Sequence, residues 1–159
     1  MAQVSPGLDC ASGDYRGNWS MDARSKSSSA EAVRDQLSSL RDALVVLHKA
    51  LIDSERVQYE SSFGTIGSPN AFLKLLINDP WFAWLQPFSG LVVAIDEMID
   101  DEENPATNSD LQKVKGQTAN LLQASEEGDG FGRSYFESLQ REPDVVLAHA
   151  AVMKLIRAR

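Results

Sequence analysis

Four aromatic residues and two prolines fall within eleven positions, from Asn78 to Phe88, and this segment limits the possible folds more than any other part of the chain. Asp79 followed by Pro80 predicts a helix start. A short acidic side chain accepts hydrogen bonds from the free N–H groups of the first turn, and proline has no N–H to leave unpaired there. Because the aromatic side chains follow at once, we expect this helix to begin inside the hydrophobic core.

Pro87 lies inside the same predicted helix, which we expect to extend to about Asp101. A proline in a helix interior removes one backbone hydrogen bond and displaces the preceding turn, so the helix should be kinked between Ala83 and Pro87. Beyond this kink, apolar residues recur at helical spacing and form one stripe, made of Phe88, Val92, Ile95 and Ile99.

A row of leucines predicts a long first helix. The leucines follow one another at alternating three- and four-residue steps, which is the spacing of helices in bundles and coiled coils: Leu37, Leu40, Leu44, Leu47 and Leu51. The Ser28–Glu31 capping-box pattern predicts that this helix starts near Ala30. Gly64 and Gly67 predict its exit turn, after about Ser62.

Further helix starts are predicted at Ser68–Pro69, at the Ser109–Gln112 capping-box pattern and at Pro143, and a short helix is predicted from Phe131. The inward face of the last helix is expected to comprise Val145, Val146, His149, Val152, Met153 and Ile156. No segment shows the alternation typical of a strand. The predicted fold class is therefore all-α, an antiparallel helical bundle of four long helices with one or two short ones.

Several short segments resemble those of small uncharacterised bacterial proteins. They are Asp79–Leu85, Ile95–Glu97, His48–Leu51 and Glu55–Glu60, and the resemblance extends over about residues 44–100. This resemblance implies an all-helical bacterial protein and carries no known activity.

Residues 1–29 are predicted to form a disordered arm, because they are rich in Ser, Gly, Asp and Arg and lack apolar periodicity. Met21 lies within this arm and is a possible true start. The alternative is an arm that becomes ordered on a partner, with Tyr15 and Trp19 as anchors. Residues 30–159 are expected to form a single domain, since a chain of this length can build its own core.

The overall charge and the cysteine content exclude several function classes. A net charge of −8 disfavours binding to nucleic acids and to anionic membranes, and it favours a basic partner. We expect no bilayer-spanning apolar run and no Sec-type signal peptide. The one cysteine, Cys10, excludes an internal disulfide framework and a thiolate metal cluster, so the expected location is the reducing cytoplasm.

Four polar residues are candidate metal ligands. His48 lies at the edge of the leucine row with Glu55 two turns further on, Asp96 lies on the kinked helix, and His149 lies on the last helix. In a bundle, imidazole and carboxylate groups from three helices can converge on a transition metal or a haem. The competing interpretation is structural, with each group in a buried hydrogen bond, because the Glu-x-x-His and His-Glu-x-x-His motifs are missing.

The aromatic segment also has two interpretations. Trp81, Trp84 and Phe88 share one helical face, and Phe82 points elsewhere. Packing in the core is the default for such residues. An exposed tryptophan would instead mark a partner groove or ligand pocket beside the kink, so Trp81, Trp84 and Phe88 are the candidate partner-binding residues.

No catalytic motif is present, and the chain is more consistent with a binding protein than with an enzyme. Glu126–Gly132 lacks the Gly-Lys-Ser/Thr of a phosphate loop, Asp100–Glu103 lacks EF-hand spacing, and no Gly-x-Ser-x-Gly occurs. We expect a binding or regulatory protein without a cofactor that acts through protein–protein contacts. A homodimer through the first helix is one form, because its apolar stripes are wider than one partner face requires. The alternatives are a metal- or haem-binding bundle and a regulator that contacts the transcription machinery through its acidic surface.

Overall fold

The computed structural model describes residues 19–159, with side chains from Arg24 onward. This part of the chain contains no strand, and the predicted all-α class is confirmed. Six α-helices and one 3₁₀ segment follow in order: α1 (Trp19–Phe63), α2 (Pro69–Asn78), the 3₁₀ segment (Pro80–Leu85), α3 (Gln86–Asp100), α4 (Asn108–Leu121), α5 (Phe131–Arg141) and α6 (Pro143–Arg157).

The first helix begins earlier than predicted. α1 starts at Trp19, not near Ala30, so the Ser28–Glu31 pattern lies inside the helix and does not cap it. The chain has neither glycine nor proline from Trp19 to Phe63, and nothing in the sequence interrupts a helix once the leucine row has formed it. The rest of the predicted arm, with Cys10 and Tyr15, lies outside the described residues.

The end of α1 agrees with the prediction. Gly64 has a φ of 95°, a backbone conformation that favours glycine, and its N–H donates to the Glu60 carbonyl over 2.9 Å. Ser68 then caps α2, since its hydroxyl oxygen accepts a hydrogen bond from the Ala71 N–H at 3.1 Å. This turn leads the chain from α1 into α2.

The leucine row of α1 forms the centre of the core, as predicted, and all five leucines are buried. α1 packs against α3, α4 and α6, and α4 also packs against α3 and α6. The other helices contribute further buried residues, among them Phe82, Leu85, Phe88, Ile95, Leu111, Val114, Leu122, Tyr135, Val145 and Val152.

The aromatic segment starts as predicted but differs in its interior. Asp79 Oδ1 accepts a hydrogen bond from the Trp81 N–H at 2.9 Å, so Asp79 caps the segment. The chain forms a 3₁₀ segment over Pro80–Leu85 before α3 begins at Gln86. Pro87 therefore occupies the first turn of α3, where a missing N–H breaks no intrahelical hydrogen bond. The structure has a junction between a 3₁₀ segment and an α-helix at the place where the sequence predicted a kink within one helix.

The sequence predicted no apolar run long enough to span a bilayer, and one stretch of the structure bears on this expectation. Among the described residues, the 21-residue stretch Pro80–Asp100 is long and apolar enough, by length and composition, to cross a membrane. Phe82, Phe88 and Ile95 within it are buried in the core. The core helix of a globular protein passes the same test but is mostly buried, whereas 22% of the most apolar window of this stretch is buried.

The cap of α4 and the buried face of α6 each differ from the prediction in one detail. α4 is capped by a reciprocal pair two residues earlier than predicted: Asp110 N–H donates to Thr107 Oγ1 at 3.3 Å, and Thr107 N–H donates to Asp110 Oδ2 at 3.0 Å. α6 begins at Pro143 as predicted, but Val146 is exposed. The buried row of α6 passes through Val145, Ala148 and Val152, which places Val146 on the opposite side.

Candidate functional site

The four predicted metal ligands do not come together. Within the part of the chain whose side chains are described, no group of three or more His, Cys, Asp or Glu residues is placed to hold a metal ion. Each predicted ligand contacts a different neighbour instead: His48 contacts Ser89, Glu55 contacts Arg141, Asp96 contacts Arg41, and His149 contacts Tyr135.

His48 connects α1 to α3. Its Nε2 atom lies 3.1 Å from Ser89 Oγ, and its ring stacks on Phe88 with centroids 5.2 Å apart and planes inclined by 5°. Burial lowers the pKa of His48 from its usual value near 6.5, so the imidazole is neutral at neutral pH. Phe88 is fully buried beneath this ring, so no partner can contact it. This contradicts its predicted partner-binding role.

His149 belongs to a second pair, with Tyr135 of α5, in which the tyrosine is fully buried and the histidine half-buried. The Tyr135 hydroxyl is 2.7 Å from His149 Nδ1, and burial raises the tyrosine pKa well above its usual value. Burial, and then the positive charge of Arg157, lower the pKa of His149. The hydroxyl therefore keeps its proton, and it donates to Nδ1 in the imidazole tautomer that leaves this nitrogen unprotonated.

The two predicted carboxylate ligands each face an arginine that the sequence analysis did not single out. Asp96 Oδ1 accepts a hydrogen bond from Arg41 at 2.8 Å. Glu55 Oε1 accepts one from Arg141 Nη2 at 2.9 Å, and the same nitrogen donates to Ser54 Oγ at 2.9 Å. These carboxylates are therefore already neutralised by guanidinium groups.

We expect the protein to lose stability as the pH falls below about 6.5. The folded-state pKa values of His48 and His149 lie below the unfolded value near 6.5, so the unfolded chain binds more protons in that range. This stability is fully present above pH 6.5 and is lost as the pH falls through the folded pKa values. Urea unfolding at pH 7.5 and pH 5.0 measures the change.

The double variant His48→Gln/His149→Gln is the control for this prediction. It should lose less stability than the wild type between pH 7.5 and pH 5.0, because glutamine does not titrate. The pKa values of Glu60 and Asp110 are also lowered, by hydrogen bonds from the Ile66 backbone and from Thr107, but these carboxyl groups titrate at lower pH. An equal loss in both proteins would show that the histidines do not carry the effect.

A cavity of about 350 Å³ lies between α1, the 3₁₀ segment and α5. It contains two of the three candidate partner-binding residues, Trp81 and Trp84, which are both half-buried. We call it the tryptophan cavity and define it by Glu55, Gln58, Trp81, Trp84, Ser134, Glu137 and Arg141. The sequence pointed to the tryptophans but had no signal for Arg141, which lies far from them along the chain.

A shallow depression of about 460 Å³ lies between α1 and α6. We call this surface the α1–α6 face and define it by Val46, Lys49, Ala50, Asp53, Asp144, Leu147, Ala148 and Ala151. Leu147 is 70% exposed and Val46 is 61% exposed, which is unusual for large apolar side chains lying on one surface. Three alanines share the same surface, so protruding and small side chains lie side by side.

A second apolar surface lies on α2 and at the end of α1. This helix is rich in apolar residues, yet none of them is buried. Leu73 and Ile77 are exposed on α2, and Phe63 is exposed at the end of α1. We call these three residues the α2 surface. It competes with the α1–α6 face as a docking site.

Comparisons of the chain with protein families, with curated proteins and with solved structures gave no match. The resemblance to small bacterial proteins over residues 44–100 therefore remains a prediction from the sequence.

Proposed function

We propose that this chain is a non-enzymatic binding protein that acts through protein–protein contacts, and that a second copy of the chain docks on its α1–α6 face. The observation that carries the proposal is the exposure of Leu147 beside a depression that contains Ala50 and Ala151. Full burial of an exposed leucine side chain contributes about 1.5–3 kcal/mol, so covering Leu147 favours association.

The shape of this face suits a copy of itself. In a two-fold dimer the same surface patch is used on both subunits, so each patch has to be complementary to itself. Leu147 and Val46 protrude from the α1–α6 face, and Ala50, Ala148 and Ala151 leave room on it. A two-fold rotation brings Leu147 of each copy against the alanines of the other.

The charges at the edge of the face also suit two-fold pairing. Lys49 forms an ion pair with Asp53 on α1, and Asp144 lies exposed in the first turn of α6. The face therefore holds one ammonium group, Lys49, which is paired with Asp53 on the same helix, and a further carboxylate, Asp144, on the other helix. In a two-fold dimer, Lys49 of each copy approaches Asp144 of the other, which offsets part of the repulsion between two chains of net charge −8.

We also propose the antiparallel arrangement of four long helices that the sequence predicted. We infer that α1, α3, α4 and α6 form an antiparallel four-helix bundle, in line with the packing of α4 against the other three helices.

We place the protein in the cytoplasm, because a chain with one cysteine has no internal disulfide to maintain.

The test is the dissociation constant of the dimer, measured by sedimentation equilibrium on the full chain. Leu147→Glu should weaken the dimer by at least about 100-fold, because each copy loses one buried leucine and gains a carboxylate in an apolar contact. Lys49→Glu should weaken it less. Adding Asp144→Lys to Lys49→Glu should restore part of the lost affinity by reversing both charges of the pair.

The matched control is Leu73→Glu, which makes the same substitution at a leucine of the α2 surface that is 55% exposed. It should leave the dissociation constant unchanged. A dimer that resists Leu147→Glu and is dissociated by Leu73→Glu would contradict the proposed surface. A wild-type chain that stays monomeric at all concentrations would contradict self-association.

A further inference from the structure

A groove lies between the first part of α1, the end of α3 and the loop that leads into α4. It has a volume of about 290 Å³. We call it the acidic groove and define it by Ala30, Glu31, Met98, Ile99, Asp101 and Glu102. Ala30, Met98 and Ile99 are half-buried and form its apolar floor. A floor of this kind offers a place where an apolar side chain of a partner is removed from water.

The charges at the rim of the acidic groove are unbalanced. Glu31, Asp101 and Glu102 are exposed, and none of them belongs to an ion pair within residues 24–159, whose side chains are described. Among the described residues that line the groove, Arg34 is the one cation. Three carboxylates and one guanidinium leave an excess of negative charge beside the apolar floor, and this charge attracts a cationic partner.

The end of α3 adds to this negative potential. α3 ends at Asp100 without a basic residue in its last turn, and Asp101 is its C-cap. The C-terminus of a helix carries about half a negative elementary charge, so carboxylates at this end destabilise the helix and cations stabilise it. The loop beyond is held in place, because Asp101 Oδ1 accepts a hydrogen bond from the Asn104 N–H at 2.8 Å. Since no basic residue of α3 offsets the charge at this end, cationic side chains of a partner would stabilise it.

We propose that the acidic groove binds a segment of another protein in which apolar side chains lie next to lysine or arginine residues. An apolar side chain of this segment packs on Met98 and Ile99, and its cationic side chains pair with the carboxylates of the rim. This inference rests on the proposed role as a binding protein and not on the dimer, because the acidic groove and the α1–α6 face share no residue. Arg34 and Val46, their nearest lining residues on α1, lie twelve positions apart, which is about 18 Å of helix.

The test is a fluorescence-anisotropy titration in which the full chain is added to a labelled, amidated peptide that alternates pairs of lysine and leucine. This lysine peptide should bind in a saturable way, with one peptide per chain. A peptide with glutamate in place of each lysine should not bind. Raising sodium chloride from about 0.1 M to about 1 M shortens the Debye length from about 10 Å to about 3 Å, so the affinity for the lysine peptide should fall.

Two variants locate the peptide in the acidic groove. Glu31→Gln/Glu102→Gln should weaken binding by about fivefold, because it removes two exposed ion pairs with the peptide. Ala30→Phe should also weaken binding, since it fills the groove and leaves its charge unchanged. The matched control is Glu126→Gln/Glu127→Gln, which makes the same change in net charge at two exposed residues before α5. This control should leave the affinity unchanged.

Four results would overturn the proposal. The first is the absence of saturable binding of the lysine peptide. The second is equally tight binding of spermine, a polycation without apolar side chains, because charge alone would then explain the attraction. The third is an equal loss of affinity in the groove variant Glu31→Gln/Glu102→Gln and in its matched control, with both shown to be folded by circular dichroism. The fourth is a weaker affinity in Leu147→Glu, which would place the peptide on the α1–α6 face. An unchanged peptide affinity in Leu147→Glu, together with its weakened dimer, would show that the two sites act separately.

Discussion

A Phe88→Ala substitution is expected to lower the free energy of unfolding by about 3–5 kcal/mol. Phe88 is fully buried and packs beneath the ring of His48, so the substitution removes apolar burial, leaves a cavity and ends the stacking contact. Domains of this size have total stabilities of about 5–15 kcal/mol, so the loss is a large fraction of the whole. Urea unfolding monitored by circular dichroism at pH 7.5 measures it.

Phe63→Ala is the control for this prediction, because it removes the same side chain from the surface at the end of α1. Phe63 is exposed, with a tilted contact to Tyr59 and a T-shaped contact to Trp81, so its loss should cost about 1 kcal/mol or less. If Phe88→Ala destabilised the protein no more than Phe63→Ala, the described position of Phe88 in the core would be wrong.

The second large effect concerns the ion pair between Glu55 and Arg141. Glu55→Ala should cost about 2–3 kcal/mol, because it leaves the guanidinium of Arg141 without its carboxylate. The Glu55 side chain is 10% exposed and that of Arg141 is 28% exposed, so solvent relieves part of the penalty and keeps the expected loss below that of a fully enclosed pair.

A double-mutant cycle isolates this pair. Glu55→Met/Arg141→Met should be less destabilised than the sum of the two single variants, because it leaves no unpaired charge. Lys49→Ala, which breaks the exposed pair with Asp53, is the matched surface control and should cost less than about 1 kcal/mol. Additive effects of the two Met substitutions would contradict a coupled buried pair.

The sequence predicted the elements that depend on local chemistry. The leucine row, the caps at Ser68 and Asp79 and the start at Pro143 all follow from spacing or from side chains next to the helix ends, and all agree with the structure. The start of α1 was missed because no glycine or proline between Trp19 and Ala30 stops a helix. The cap of α4 was missed because Thr107 and Ser109 both fit the capping pattern.

The candidate site was harder to predict, because its partners lie far apart along the chain. Glu55 was predicted as a candidate metal ligand, and the group that it meets in the structure, Arg141, is 86 positions away. Helical periodicity shows which face a residue occupies and does not show which helix packs against it. For the same reason Phe88 was grouped with Trp81 and Trp84, although it packs beneath His48 in the core.

The α1–α6 face is tested most directly by a mixed sample of isotope-labelled and unlabelled full chains. An isotope-filtered NOE experiment on this sample detects only contacts between copies. We predict intermolecular contacts from the methyl groups of Leu147 and Val46 to those of Ala148 and Ala151, in a particle of twice 17.4 kDa. Intermolecular contacts from Leu73 instead, or a particle of 17.4 kDa with no intermolecular contacts, would contradict it.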